Sequence, residues 1–462
     1  MKLNILVLHD IPNLSRTFLS CSDYVLCYER YAPEHNYIYF KISDPVAPIL
    51  MDIKFDVVIF SSTALAYRRV RPLRGWREAL EKLSFLNKSH VIKIAYPQDD
   101  YHQTKDLDQL FDDWKFDVVY TVMPNHHALL YPLSINHAHF ETVLTGYVDD
   151  KQVTDFSKYA LPFEKRSINL GQRVTLYSAL GGRFAMLKGM ISEKLATSVR
   201  ESGLKVDVST DPNDRINGVK WLKFLGNCQF VPGCEGGVSI LDRDGSIYEK
   251  ILSFTLENPQ AGFEKIEDAC FPGLDGKYLF SAVSPRLFET AMMRCCQVLV
   301  RGSYLGLLEP YKHYIPVNED LSDVGEAAYA MRDLNAAKKM ADATYETLIL
   351  NNKFRYSYHV QEIFKRIKIQ SELKGDIIST AIEKDEISQG TSILFRQQRR
   401  LFLRQQRLLL IRSRLRALQN RLVFTPKRYT FWSIVFGMFP KKVRRKVPDR
   451  YQKIIRNFLR LN

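Results

Sequence analysis

The feature that most constrains this chain is a series of short, predominantly apolar runs in its first 150 residues. Ile5–Leu8 is one; Val57–Phe60 follows Asp56, Val91–Tyr96 follows, and Val118–Val122 comes after Asp117. A strand wetted on one face alternates apolar and polar residues, whereas a strand covered on both faces does not. Helix-like stretches, Gly75–Leu86 and Leu107–Trp114, separate the runs. Such alternation predicts a doubly wound parallel sheet. Lys-Phe-Asp-Val-Val occurs at residues 54–58 and again at 115–119, which reads as two equivalent entries from helix into strand.

The chain has 462 residues, and single cores stop growing near about 250–300. A second unit is therefore expected. Asp149–Lys158 is polar and reads as a hinge. Beyond it, Arg173–Ser178, Lys205–Ser209, Cys228–Pro232 and Gln297–Val300 read as strands. Met186–Glu201, Arg215–Leu225, Ser284–Arg294, Val324–Arg332 and Leu334–Leu350 read as helices, with Ser284 and Pro285 as N-cap and first-turn residue. The expected organisation is an α/β domain over 1–150, a second over 165–350, a helical crossover or linker over 351–390 and a basic amphipathic tail over 391–462.

Charge sets the tail apart. The net charge is +15, yet residues 396–462 alone hold 20 Lys or Arg and one acid, Asp449. The rest of the chain is mildly acidic. Leu394, Leu401, Leu408, Leu415 and Leu422 recur every seventh position, and an aromatic stretch over Phe431–Phe439 precedes the cluster Lys441–Lys446. This pattern suits an amphipathic segment on an anionic membrane surface; a solvated basic helix on the body is the alternative. No uncharged apolar run approaches about 20 residues, so no membrane-spanning helix is expected. The seven cysteines have irregular spacing and lack a CxxC. They read as free thiols in a reducing, cytoplasmic setting, and no metal site is expected.

Three stretches of the second unit carry residues fit for chemistry. Gly182-Arg183 with Lys188-Gly189 places amides and two cations where a strand turns into a helix, a setting that binds phosphate. Cys234 to Gly245 contains Glu235, Gly236, Gly237, Ser239, Asp242 and Asp244, a loop whose glycines permit close approach and whose acid could bind sugar hydroxyls or take a proton. Arg286 and Glu289 share one helix, with Glu309 about twenty residues on; a carboxylate here could hold a ribose. Each has an ordinary structural alternative: a plain turn, an Asp-Gly loop, or an acid serving its helix end. In the first unit, His9, Asp10, Asp99, Asp100 and His102 lie at expected strand ends, where open α/β sheets bind ligands.

Together these motifs resemble bacterial glycosyltransferases of the GT-B fold, including surface-polysaccharide enzymes and the spore-coat-type family. The resemblance runs over about 140 residues, from Gly182-Arg183 and Lys188-Gly189 through Arg215–Trp221, Glu235–Ser239 and Asp242–Gly245 to Arg286–Glu289, His313–Pro316 and Asp320–Asp323. It implies two Rossmann-like domains facing a cleft. A nucleotide-sugar donor would be bound by the second and a glycan or lipid-linked acceptor by the first, with no resident cofactor or metal. Arg183 and Lys188 would meet the donor's diphosphate, aided by Gly236, Gly237, Ser239 and Arg286. Glu289 and Glu309 would grip ribose or sugar hydroxyls, and Asp99, Asp100, His102 and Glu235 are the candidate proton-transfer groups. The family's second glutamate, eight residues after the first, is Gln297 here. A non-catalytic binding protein, a sugar-nucleotide epimerase and a nucleic-acid binder are the rival readings; the leucine and Phe-Trp patterning of the tail favours lipid or a partner helix over nucleic acid.

Overall fold

A computed structural model of the chain describes residues 2–11, 19–69, 74–176, 179–375, 395–409 and 411. The chain forms two compact units, Met1–Ser43 with Lys54–Ser392, and Asp44–Ile53 with Ile393–Asn462.

The larger unit holds two parallel sheets. The first contains β1 (Asn4–His9), β2 (Asn36–Lys41), β3 (Val57–Phe60), β4 (Ile92–Ala95), β5 (Val118–Thr121) and β6 (His139–Thr142), in the order β2-β1-β3-β4-β5-β6. All neighbours are parallel; Leu6 lies between Ile38 and Val58. Every residue of Ile5–Leu8 and Val57–Phe60 is buried, which is why those runs are uninterrupted. The edge strands β2 and β6 gave no such signal. Each has one neighbour, and β6 buries none of its four residues fully, so burial does not force an apolar run on its sequence.

The second sheet contains β7 (Ile168–Arg173), β8 (Val206–Ser209), β9 (Cys228–Gly233), β12 (Cys296–Val300) and β13 (Tyr314–Val317), ordered β13-β12-β9-β7-β8 and parallel throughout. Between β9 and β12 the chain makes a separate antiparallel ribbon from β10 (Gly236–Val238) and β11 (Phe280–Ala282). Helices Ser246–Glu257 and Phe263–Cys270 complete this insertion over a small core that includes Ile240, Ile251, Ile266 and Phe271. Leu187, Ile191 and Leu195 of the Gly182–Glu201 helix pack with Val298 and Val300. Trp221, Leu225, Leu287 and Ala291 belong to a different cluster, which also takes in Leu144 and Val148.

The polar stretch expected to be a hinge is a helix, Asp150–Ser157. Asp149 is its N-cap and accepts the N–H groups of Lys151 and Gln152; an Asp before a helix satisfies donors that the helix cannot. Just before it, Val148 donates to the Phe354 carbonyl at 2.8 Å and accepts from Tyr356 N–H at 3.0 Å. The chain returning from the second sheet is thereby paired to the chain leaving the first. The helix Tyr356–Leu373 then packs on the first sheet's elements. His359 stacks on Tyr147 with ring centroids 4.1 Å apart and meets Tyr24 and Tyr96 edge-on. Burial pulls its pKa down to about 3, so it serves there as a neutral ring. Beyond the helix, Lys374 reaches Asp117 at 3.0 Å.

In the smaller unit, a helix over 395–409 buries Phe395 and Phe402, and Gln406 donates to the Pro45 carbonyl at 2.9 Å. Leu401 and Leu408 are exposed. The buried stripe starts one residue later than the leucine stripe, a rotation of about 100° around the helix. Leu394, Leu415, Leu422, the Phe431–Phe439 stretch and the Lys441–Lys446 cluster lie outside the described residues. Among the described residues no helix is long and apolar enough to cross a membrane.

Ile363 is fully buried on the returning helix. Ile363→Ala should cost about 2–5 kcal/mol through lost burial and a residual cavity. Urea unfolding followed by tyrosine and tryptophan fluorescence would read this as a lower midpoint; an unchanged midpoint would mean that this helix does not contribute to the stability of the body.

Candidate functional site

A cavity of about 180 Å³ lies where the two sheets' elements meet, lined by Asp23, Tyr147, Asp149 and Gln152 from one side of the chain and by Lys188, Trp221, Arg286 and Glu289 from the other. The second set reaches it because parallel topology places these segments alike. Lys188 sits in the second turn of the helix that follows β7, while the helices Val219–Leu225 and Pro285–Met292 begin on that same side before running back to β9 and β12. Ser284 caps the last of these by accepting Arg286 N–H.

The side chains from the second sheet are mutually arranged. Glu289 accepts the Trp221 indole N–H at 2.8 Å. The Arg286 guanidinium lies 4.8 Å over the Trp221 ring and donates to Gln172 Oε1 at 2.8 Å and to the Arg173 carbonyl at 2.6 Å. Burial raises the Glu289 pKa, opposed by Arg286, the indole N–H and Lys188. Burial, and then repulsion from Arg286, pull Lys188 down to about 8. Among the described residues no carboxylate is ion-paired to Lys188. Two neighbouring cations of which one lacks a counter-charge, beside a carboxylate and an indole, form a setting for an anion joined to a hydroxylated ring.

On the opposite wall, Asp149 is held by Arg30 and by the Tyr31 hydroxyl at 3.0 Å. Asp23 accepts Gln152 Nε2 at 2.6 Å and Arg30 Nη2 at 3.0 Å. Burial, with Asp149 adding to it, raises the Asp23 pKa above the ordinary aspartate range. Sequence reasoning missed Asp23, Tyr147 and Asp149 as site residues. Asp23 follows no apolar strand directly and belongs to no recurring motif; the polarity of Asp149 was the one available signal, and it read as a hinge.

The structure brings together Lys188, Arg286 and Glu289, and places the other candidates elsewhere. Arg183 points to the insertion, where it pairs with Glu264, Glu267 and Asp275 and lies over the Phe263 ring. The helix N-terminus expected to cradle phosphate is filled from within. Arg183 N–H donates to Asp275 Oδ1 at 3.2 Å, Phe184 N–H to Ser239 Oγ at 3.2 Å, and Ser239 Oγ donates to Asp275 at 2.6 Å. Gly182 has φ +73, and a Cβ there would overlap both Asp275 and Ser239. Gly236 and Gly237 belong to the β10–β11 ribbon; Gly237 has φ +136, and a Cβ would collide with the Phe280 carbonyl. These glycines are required by the chain's own packing.

The remaining acids are also occupied. Glu235, 7% exposed, accepts Ser303 N–H at 3.1 Å, the Ser303 hydroxyl at 3.2 Å and Tyr304 N–H at 2.9 Å, and so fixes the loop after β12. Glu309 is on the surface, paired with Lys312 at 2.7 Å. Asp100 is fully buried and takes the hydroxyls of Thr121 and Tyr131; burial raises its pKa to about 6. Asp99 would be raised by burial, but Arg69 at 2.7 Å and the Tyr101 hydroxyl hold it below the usual range. Burial keeps His102 below its ordinary value, with Asp242 opposing. The turn that carries these three docks on the insertion: Gln103 N–H donates to Asp242 O and Asp242 N–H to Tyr101 O. None of the three lines the cleft. At the end of β1, His9 is buried and Asp10 accepts the Ser43 hydroxyl. No group of three or more His, Cys, Asp or Glu suited to a metal ion occurs among the described residues.

Two doubly wound parallel sheets with a final helix that crosses back give the α/β, GT-B arrangement that the sequence resemblance implies. No family model matches the chain, and no curated protein matches it in sequence. Among solved structures it is similar to a glycosyltransferase from Rickettsia africae ESF-5, at 10% identity over 80% of this chain and 98% of that one, with a TM-score of 0.44. It is similar to Anabaena Alr3699/HepE in complex with UDP and glucose, at 9% identity over 79% and 100%, with a TM-score of 0.45. An α-glucosyltransferase in complex with UDP and a 13-mer DNA containing an HMU base shares 11% identity over 80% and 100%, with a TM-score of 0.48. The fold assignment rests on the strand order itself and not on these likenesses.

Ser239→Ala removes a helix cap and should cost about 0.5–2 kcal/mol. Thermal unfolding should show the loss while the cleft, which Ser239 does not line, keeps its ligand affinity. Equal stability with weakened binding would return Ser239 to the binding site.

Proposed function

We propose that this chain transfers a sugar from a nucleotide-sugar donor to a glycan or lipid-linked acceptor. The observation that carries the proposal is the convergence of Lys188, Arg286 and Glu289 in one cleft between two Rossmann-like sheets. In this reading Lys188 and Arg286 meet the charge that grows on the departing nucleotide diphosphate, side chains supplying what a resident metal would otherwise supply. Glu289, oriented by the Trp221 indole, accepts ribose or sugar hydroxyls and holds the donor in a reactive pose. The acceptor enters along the wall of Asp23 and Tyr147. A role in surface-polysaccharide synthesis is supported by the ordered motifs between Gly182 and Asp323. Attachment to the inner face of a membrane is supported by the concentration of 20 Lys or Arg in residues 396–462.

A second reading keeps the donor and drops the transfer. It is favoured by the Asp275 carboxylate at the helix N-terminus and by Gln297, which is buried and donates to the Leu287 carbonyl at 3.2 Å. Product analysis separates the two: glycosylated acceptor supports the first, and tight donor binding without turnover supports the second.

A thermal-shift screen of nucleotide sugars should identify the donor. Against that donor Glu289→Ala should weaken binding by about 1.5–3 kcal/mol, on the order of tenfold to a hundredfold. Wild-type affinity in this variant would remove Glu289 from the site.

The Lys188 ammonium is charged below pH about 8 and loses its proton above it. Since the charged form binds the diphosphate, affinity should be flat below that pH and fall as pH rises through it. Calorimetric titration with UDP checks this, with Lys188→Arg expected to retain affinity at higher pH. Parallel profiles for the two proteins would show that Lys188 does not bind the phosphates.

A further inference from the structure

The helix over 395–409 contains five arginines and no Asp or Glu. One stripe of it, Phe395, Phe402 and Gln406, is buried. Arg396, Arg400, Arg404 and Arg407 are all exposed. At about 100° per residue these four fall within an arc of about 80°, turned away from the buried stripe. They form a ridge about 16 Å long, at about 1.5 Å per residue. Among the described residues none of the four makes an ion pair.

Like charges three and four residues apart on one helix face destabilise the helix, and this helix carries no acid to offset them. A polyanion set against the ridge would relieve the repulsion. The ridge's borders indicate which kind. Leu401 and Leu408, 46% and 57% exposed, lie about 40–60° beyond Arg404. Leu403, 50% exposed, lies about 20° beyond Arg396 on the other border. A nucleic-acid duplex offers phosphates but no apolar layer for these leucines. A second copy of the chain would set arginines against arginines. An acidic bilayer offers both parts, anionic head groups and, just beneath them, an acyl boundary. The long arginine stem lets its apolar part lie along that boundary while the guanidinium stays among the head groups.

We propose that the exposed face of this helix docks on an anionic lipid surface, with Arg396, Arg400, Arg404 and Arg407 at the lipid phosphates and Leu401, Leu403 and Leu408 at the acyl boundary. The proposal rests on the membrane-surface reading of residues 396–462 and narrows it to one face of one helix. It gives the two exposed leucines of the seventh-residue repeat a place to go, since the body takes Phe395 and Phe402 instead.

The test sediments the full chain with phosphatidylcholine vesicles that contain or lack phosphatidylserine, and titrates duplex DNA alongside. One variant combines Arg396→Gln, Arg400→Gln, Arg404→Gln and Arg407→Gln. A second combines Leu401→Gln and Leu408→Gln, which leaves the charge unchanged. A control removes the same charge elsewhere in the tail, through Lys441→Gln, Lys442→Gln, Arg444→Gln and Arg445→Gln. The substituted helix positions are exposed, and Gln forms helix about as well as Arg or Leu. Melting temperatures, measured first, should therefore match. Wild type should bind the serine-containing vesicles only. The four-arginine variant should bind them on the order of a hundredfold more weakly, at roughly fivefold per charge, and the control less so. The leucine pair should weaken binding about tenfold through lost apolar burial. Wild-type affinity in the four-arginine variant or in the leucine pair overturns the proposal, as does a four-arginine loss no larger than the control's. Those results leave the broader membrane reading standing. Wild type that binds neither vesicle overturns both, and wild type that prefers the duplex gives the ridge to nucleic acid instead.

Discussion

Two main-chain hydrogen bonds at Val148, one to Phe354 and one from Tyr356, tie the chain leaving the first sheet to the chain returning to it. The cleft's wall on that side depends on this pairing. Tyr147, immediately before, is stacked on His359 of the returning helix. Asp149, immediately after, caps its helix and gathers Arg30 and Tyr31. A cluster of Tyr24, Tyr96, Tyr147, Tyr356 and His359 surrounds the crossing. Aromatic rings give large buried area in few rotamers, which suits a place where three segments must keep one geometry.

The acids and glycines of the second unit illustrate a general competition. A loop rich in glycine exposes N–H groups, and buried N–H groups must be paired. A substrate can pair them, but so can the chain. Here the chain does: Asp275 and Ser239 close one helix N-terminus, Asp242 accepts three N–H groups at the start of the Ser246–Glu257 helix, and Glu235 holds the loop after β12. Residue types suited to ligand binding are the same types that satisfy a tight loop. What remains for a ligand is side-chain charge facing open space, and in this chain Lys188 lines the cleft without an ion pair among the described residues.

Local sequence carried much of the fold. Most inner strands were legible because burial on both faces leaves few polar positions; β7 was not, since it carries Asn169, Gln172 and Arg173, and the strand expected at Arg173–Ser178 ends where that expectation began. The helices at Leu107–Trp114, Met186–Glu201 and Leu334–Leu350 were legible through their apolar spacing. The edge strands β2 and β6 and the β10–β11 ribbon were not, since each is short or half-wet and its pairing partner is distant in sequence. Of the site, Arg286 and Glu289 were legible from one helix turn, and Lys188 from its place after β7. Asp23 was not, because its significance comes from Gln152 and Arg30, one of them 129 residues away in sequence.

The sequence by itself determined the class of the fold, the strand–helix alternation and the division between a mildly acidic body and a basic C-terminal segment, because burial period and charge are local properties. Only the tertiary structure decided which charged groups are free to act. Arg183 and Lys188 are five residues apart on one helix and equal on paper. One is answered by three carboxylates from an insertion some eighty residues further on, and the other faces a cleft and makes no ion pair among the described residues. Whether a charge is neutralised depends on what the fold sets against it, and that is a matter of distance in space.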